Sequence, residues 1–171
     1  VFVWNSSDDP TQLKDCYFYN NTIFNSKGAA ISYEAQSMHS GFHFYNNIFV
    51  SKDSLTLGKN TGSHFAGNNW YGLKNGFNIN GISTLQEWAA KNKEEMYNGK
   101  LAGLNINPQF DNTATVITDP DSLKYFNKYQ LPASSVLRTS GINLQAAFNI
   151  NNGAKTFNQT DASENGIGAC F

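Results

Sequence analysis

Apolar and polar residues alternate along the first part of this chain, around an Asn-Asn pair that recurs three times in an aromatic frame. The pairs are Asn20-Asn21, Asn46-Asn47 and Asn68-Asn69, and they lie 26 and then 22 positions apart. Alternation with β-branched and aromatic residues is typical of β-strands. A period between about 20 and 30 residues indicates a stacked repeat whose unit is one supersecondary turn.

Turn signals such as Asp8-Asp9-Pro10 and Asn75-Gly76 divide the alternating stretches. Two or three short strands in each repeat favour a parallel solenoid over hairpins. The predicted strands run from Val1 to Asn5, Cys16 to Phe24, Ala29 to Tyr33, Gly41 to Val50, Ser54 to Leu57 and Ser63 to Tyr71.

The Asn pairs are predicted to be structural. Asn tolerates the left-handed backbone that a tight corner needs. Its amide can donate to one neighbour and accept from the other, so stacked Asn side chains form a ladder. The predicted ladder comprises Asn20, Asn46 and Asn68, and the predicted aromatic stack beside it comprises Phe18, Phe44 and Phe65.

The pattern becomes helical at residues 83–96, where apolar residues return at helical spacing. Thr84 and Glu87 form a capping box, and Gly99 is the predicted stop. Trp88 lies on the apolar face and is expected to be a packing anchor.

Four segments in order resemble the C-terminal half of secreted right-handed parallel β-helix proteins of the pectate-lyase-like superfamily. They are Leu85-x-x-Trp88, Asn107 to Asp111, Leu131 to Gly141, and Ile167-Gly168-Ala169. The fold that this resemblance and the repeats predict is all-β. It is a right-handed parallel β-helix with one inserted α-helix and a C-terminal capping tail.

The predicted β-helix is one domain over residues 1–171, with coils at 1–75, a helical insertion at 76–100, and the last coils and tail at 101–171. The segment begins with Val1 and shows no signal peptide. It is therefore expected to be the C-terminal part of a longer chain, with activity residing in the whole protein rather than in this part alone.

Composition and charge restrict the classes of ligand that the protein is expected to bind. The 171 residues carry a net charge of −1, and 15% are charged, against about 25% in an average globular protein. This balance disfavours nucleic acid, and no apolar stretch approaches the ~20 residues of a membrane span. Many aromatics with few charges suit neutral polar ligands such as sugars. The predicted protein is monomeric, and its location is extracellular, periplasmic or at the cell surface.

Neither cysteines nor acidic pairs predict a cofactor. Cys16 shares the alternation phase of Phe18 and is expected to point inward, and a disulfide to Cys170 would need the tail to run back along the stack. No His/Cys spacing supports a metal site. Asp119-Pro120-Asp121 suits calcium, although a turn is the simpler interpretation.

The resemblance implies carbohydrate chemistry, because the superfamily includes lyases and glycosidases as well as non-catalytic proteins. A lyase needs a basic residue and a cation or Arg beside the uronate carboxylate. The single arginine, Arg138, lies in the terminal motif and is expected to pin the tail. His43 and His64 are predicted to stack on one outer face. They would line a groove, bind a metal weakly or simply face solvent.

The predicted sugar-contacting cluster is Tyr33, Glu34 and His39. Trp4, Trp70 and Tyr71, together with Tyr33, are either exposed platforms for sugar rings or core residues. Two functions therefore stay open: part of a secreted polysaccharide lyase or glycosidase, or a non-catalytic glycan-binding or structural protein.

Overall fold

Two three-stranded parallel sheets form the centre of the protein, as seen in a computed structural model. It describes residues 2–3, 14–26, 31–33, 40–52, 62–74, 76–111, 119, 121, 123–153 and 161–169. The strands are β1 (Phe2–Val3), β2 (Lys14–Tyr19), β3 (Thr22–Ser26), β4 (Ser32–Tyr33), β5 (Ser40–Tyr45), β6 (Ile48–Ser51), β7 (Ser63–Ala66), β8 (Asn69–Gly72), β9 (Met96–Tyr97) and β10 (Lys100–Leu101). The helices are α1 (Leu85–Asn92) and α2 (Leu144–Phe148), with 3-10 turns at Leu123–Tyr129 and Val136–Arg138.

The first sheet has the strand order β2-β5-β7 and the second has the order β3-β6-β8. All four strand pairs are parallel, and each strand pairs with the equivalent strand of the next repeat. In the first sheet Phe18 pairs with Phe44 and Phe44 with Phe65. In the second sheet Phe49 pairs with Trp70.

A two-residue corner carries the chain from the first sheet to the second in every repeat. The first corner residue has a positive φ, at 53° for Asn20, 51° for Asn46 and 70° for Gly67. Asn and Gly are the residues that adopt this left-handed backbone most readily. Each long predicted strand is therefore two strands joined at this two-residue corner.

The core lies between the two sheets and consists mainly of aromatic columns. Phe44 stacks on Phe18 with ring centroids 4.8 Å apart and on Phe65 at 5.1 Å. Phe49 stacks on Trp70 at 4.4 Å and meets Phe44 edge-on at 6.4 Å. Offset-stacked and edge-on aromatic pairs add stability beyond the area that they bury.

The predicted β-helix is wrong. The described residues form two separate three-stranded sheets, to which the pairs β1–β4 and β9–β10 are not joined, and these strands do not close into a solenoid. The physical reason is that each repeat contributes only two strands to these sheets. In the described residues after β8, the chain forms α1, the antiparallel pair β9–β10, two 3-10 turns and α2.

Helix α1 begins where the capping box predicts, because the Thr84 hydroxyl accepts a hydrogen bond from the Glu87 amide at 3.2 Å. Trp88 is buried in the core, which confirms its packing role. The helix ends at Asn92 rather than near Met96, since Lys93 takes a left-handed φ of 57°.

The C-terminal residues pack against the corner at Asn46. The Asn46 side chain donates to the Ile142 carbonyl at 2.7 Å and accepts from the Ile142 amide at 3.0 Å. The amide of Gly168 donates to the Asn46 carbonyl at 2.9 Å, and the amide of Ala169 donates to the Thr22 hydroxyl at 3.1 Å. One corner therefore fixes two distant parts of the chain.

Helix α1 and strand β9 fall inside the segment 76–100, and the predicted division at residues 75 and 100 stays a prediction. Across the described residues, no helix combines the length and the apolar character needed to span a membrane.

Candidate functional site

Three rings stack in a row on the outer face of the first sheet. Tyr17 and His43 have ring centroids 4.5 Å apart with planes 13° from parallel, and His43 and His64 are 5.4 Å apart. The parallel register places these residues on neighbouring strands. The predicted stacking of His43 and His64 is thus confirmed. We call Tyr17, His43 and His64 the histidine face.

The described part of the C-terminal segment packs on the row next to the histidine face, in the same sheet. That row is Tyr19, Tyr45 and Ala66, which pack in a cluster with residues 142–150. Phe148 of α2 stacks directly on Tyr45, with ring centroids 4.3 Å apart.

Exposure is greatest at the two ends of the histidine face. The Tyr17 residue is 50% exposed, and the His64 side chain is 59% exposed. The row therefore presents aromatic surface to solvent beside a wall formed by Tyr45 and Phe148.

The hydroxyl of Tyr45 orients the central imidazole. His43 Nδ1 lies 2.9 Å from the Tyr45 hydroxyl oxygen, which is hydrogen-bonding distance. Burial, together with the nearby Tyr17 and Glu94, raises the pKa of Tyr45 to about 12. Burial and His64 lower the pKa of His43, while Asp15 opposes them. The His43–Tyr45 pair is therefore neutral at pH 7.

At the other end of the face, His64 Nδ1 lies 3.6 Å from Glu94 Oε1. The second oxygen of Glu94 accepts a hydrogen bond from the Phe65 amide at 2.7 Å. Burial raises the pKa of the Glu94 carboxyl, against that hydrogen bond and the nearby His64, which lower it. Glu94 thus contacts the edge of β7 and the terminal imidazole together.

The Asn ladder is present with Asn68 as predicted, but its other two residues differ from those predicted. Asn47 Oδ1 accepts from the Asn21 side chain at 3.0 Å, and Asn68 Oδ1 accepts from the Asn47 side chain at 3.0 Å. The rungs are therefore Asn21, Asn47 and Asn68. Asn20 and Asn46 are corner residues one position earlier, where the third repeat has Gly67.

A fully buried carboxylate completes this ladder. Glu95 accepts from the Asn68 amide at 3.0 Å, from the Asn68 side chain at 2.7 Å and from Trp70 Nε1 at 2.7 Å. Burial raises the pKa of Glu95 to about 7, although these hydrogen bonds oppose the shift. Sequence reasoning missed Glu95. Its position 27 residues after Asn68 repeats the spacing of 26 between Asn21 and Asn47 and was the available signal.

The predicted sugar-contacting cluster is not assembled by the described residues. Trp4, Glu34 and His39 lie outside them. For Tyr33, only its place in strand β4 is described. The cluster stays a prediction.

The two predicted platforms that the structure describes do not present free ring faces. Trp70 is 0% exposed, stacks on Phe49 and donates to Glu95. Tyr71 is partly buried and packs against a core cluster that includes Ile48, Val50 and Leu131. The backbone around Leu104 pairs with the outer edge of β8.

A cavity of about 380 Å³ lies at the start of α2. Within it, Glu164 accepts a hydrogen bond from the Asn143 side chain at 3.0 Å. The buried Asn152 Oδ1 has no partner among the described residues. The cavity supplies hydrogen-bonding groups, but its described lining contains no ring for stacking. The lining consists of Asn143, Gln145, Ala146, Asn151, Asn152, Gly153, Ala162, Ser163 and Glu164.

The remaining predicted residues have structural positions. Cys16 is a free cysteine packed against the core, and Cys170 lies outside the described residues. Arg138 donates to the Leu131 carbonyl at 3.3 Å, so it stays within the tail. Asp119 accepts from the Asp121 amide at 2.9 Å, as in a turn. Among the described residues, no group of three or more His, Cys, Asp and Glu is arranged to hold a metal.

No protein-family model, curated protein or solved structure matches this chain. The resemblance to the pectate-lyase-like superfamily therefore rests on the sequence motifs alone and stays a prediction.

Proposed function

We propose that this protein binds a polysaccharide on the histidine face. The observation that carries the proposal is the open stack of Tyr17, His43 and His64 on a parallel sheet. The exposed ring edges of this stack offer apolar contact to a sugar ring, and the imidazole nitrogens exchange hydrogen bonds with its hydroxyls. The predicted extracellular location and monomeric state belong to the same proposal.

The surrounding residues support a preorganised surface. His43 is fixed by Tyr45, and Tyr45 is fixed in turn by the parallel ring of Phe148. Glu94 lies beside His64 and is anchored by the Phe65 amide. A rigid site loses less side-chain entropy on binding, so that even a shallow face can bind with useful affinity.

Binding is better supported than catalysis. Elimination requires a base and a cation or Arg beside the uronate carboxylate. His43 Nδ1 is already engaged by Tyr45, and Arg138 donates within the tail. Hydrolysis requires two carboxyl groups flanking the scissile bond. Glu95 is fully buried and hydrogen-bonded, so it cannot provide one of them.

The test is affinity electrophoresis of the chain through gels that contain soluble polysaccharides. Tyr17→Ala should weaken binding roughly tenfold, which corresponds to about 1.4 kcal/mol. Val136→Ala is the matched control because Val136 is 51% exposed and belongs to a different segment. Equal retardation of Tyr17→Ala and the parent chain would reject the histidine face as the binding site.

Product release is measured on the same mixtures. Binding without new reducing ends or unsaturated ends supports the proposal. Release of either product would replace it with the enzyme function that the sequence motifs predict.

A further inference from the structure

We propose that the histidine face selects neutral, hydroxyl-bearing polysaccharide over uronate-containing polysaccharide, with His43 donating and His64 accepting a hydrogen bond through their Nε2 atoms. This inference rests on the proposed function, because it specifies the ligand of the same face. It is carried by the partners of the two Nδ1 atoms and by the carboxylates at the two ends of the stack.

The first step is the tautomer of His43. The Tyr45 residue is only 6% exposed, and His43 Nδ1 is the hydrogen-bond partner described for its hydroxyl. A phenolic hydroxyl is a stronger hydrogen-bond donor than a neutral imidazole N–H, and an unprotonated imidazole nitrogen is a stronger acceptor than a phenolic oxygen. Tyr45 therefore donates and Nδ1 accepts. In the neutral ring the proton must then be on Nε2, which becomes a donor.

The second step is the tautomer of His64. Its Nδ1 faces Glu94 Oε1 at 3.6 Å. A carboxylate attracts the nitrogen that carries a proton, so the neutral ring holds its proton on Nδ1. Nε2 of His64 is consequently an acceptor. Adjacent rings of the face thus present opposite hydrogen-bonding roles, which fits hydroxyl groups because each hydroxyl both donates and accepts.

The third step is charge. Glu94 lies beside His64 at one end of the stack, and the negative charge of Asp15 acts on His43 from the β2 side. Asp15 is exposed on that strand. Two carboxylates near the face repel a uronate, and this repulsion weakens as salt increases. A neutral sugar is not subject to it.

The experiment compares a neutral galactomannan with polygalacturonate at pH 7.5 and low salt, using the parent chain, Asp15→Asn and Glu94→Gln. These variants keep hydrogen-bonding side chains of the same shape while removing charge. Asn tolerates the left-handed backbone of Asp15, where φ is 53°. We expect galactomannan to bind about tenfold more tightly than polygalacturonate, and both variants to narrow that ratio.

The outcomes are distinguishable. Polygalacturonate binding as tightly as galactomannan, or more tightly, would overturn this inference and leave the proposed function intact. Binding of neither polymer would reject both. Nitrogen NMR of the two imidazoles provides a second readout: His43 protonated on Nδ1 in its neutral form would overturn the donor assignment, whatever the binding result.

Discussion

Glu95 binds Asn68 at two points, because its carboxylate accepts from both the backbone amide and the side-chain amide of that residue, at 3.0 Å and 2.7 Å. Trp70 donates to the same carboxylate. Three donors therefore converge on one buried acidic group. This arrangement joins the polar ladder to the aromatic core and makes Glu95 a sensitive position for stability.

Glu95→Gln should lower the free energy of unfolding by about 1–3 kcal/mol. A carboxyl oxygen accepts from Asn68 whether or not it is protonated, whereas the amide nitrogen of Gln cannot accept. Urea denaturation at pH 6 gives the value. Glu87→Gln is the control, because Glu87 is exposed on α1. An unchanged midpoint for Glu95→Gln would show that the three hydrogen bonds add little.

Stability should fall as the pH rises from about 4.5 to about 7. The folded pKa of Glu95 is raised to about 7 from an ordinary value of 4.5. The folded state therefore binds this proton more tightly than the unfolded state, and the advantage is lost as pH rises through that window. A shift of this size corresponds to about 3 kcal/mol at most.

Unfolding free energies measured between pH 4.5 and 8 test this dependence, and carbon NMR of the Glu95 carboxyl reports its titration directly. Glu94 has a raised pKa as well, so Glu94→Gln separates the two contributions. A flat profile with Glu95 titrating near its ordinary value would contradict the prediction.

Phe44→Ala should lower stability by about 3–5 kcal/mol, the range for buried Phe to Ala changes. Phe44 is 0% exposed and stacks between Phe18 and Phe65. Chemical denaturation measures the loss, with the exposed-site change Val136→Ala as the control. A melt of Phe44→Ala identical to that of the parent chain would count against the aromatic column.

Asn47→Asp should destabilise the protein more than Asn47→Ala. The Asn47 amide nitrogen donates to the Phe18 carbonyl at 2.8 Å and to Asn68 Oδ1 at 3.0 Å. A carboxylate would place negative charge against both acceptors, whereas Ala only removes the hydrogen bonds. Comparison of the two unfolding midpoints tests this prediction. Equal losses of stability would mean that it is unimportant which group of the ladder donates and which accepts.

Tyr45→Phe should release the tautomer of His43 and weaken glycan binding. The change keeps the ring that stacks on Phe148 and removes only the hydroxyl that contacts Nδ1. Nitrogen NMR should then show a mixture of neutral tautomers. The pKa of His43 is lowered in the folded protein, so folding favours its neutral form. The stability that the neutral imidazole contributes is therefore lost as the pH falls below 6.5. One unchanged tautomer in Tyr45→Phe would contradict the role of the hydroxyl.

Alternation along the strands predicted the inward columns and the outer position of the histidines. Phe18, Phe44 and Phe65 share one parity, and His43 and His64 each precede a core phenylalanine. Parity is a local property of an extended chain, so a single sequence reveals it.

The rungs of the ladder were misassigned because the Asn pair of the third repeat lies one position later relative to its strands. The ladder spacing is 21 from Asn47 to Asn68, whereas the Asn pairs themselves are 22 apart. Matching the pairs by letters placed Asn68 beside Asn46, but matching by Phe65 places Gly67 there. The strand register, rather than residue identity, decides which positions of the repeats are equivalent.

The sequence patterns could not predict contacts between residues that are far apart along the chain. Nothing local indicates that Phe148 covers Tyr45 and leaves Tyr17 open, or that Ile142 pairs with Asn46. Closure of a solenoid is likewise a property of the whole chain path. Strand periodicity is compatible with separate sheets as well as with coils, which explains why the β-helix was predicted and not found.

The carboxylates that follow α1 also protect the sheet from unwanted association. Glu94 accepts from the Phe65 amide, and the Glu95 amide donates to the Phe65 carbonyl at 2.6 Å. The outward backbone groups of β7 are thus occupied at this position. A foreign strand adding here would displace both contacts and meet a buried acid, so this edge resists the strand-to-strand growth that leads to aggregation.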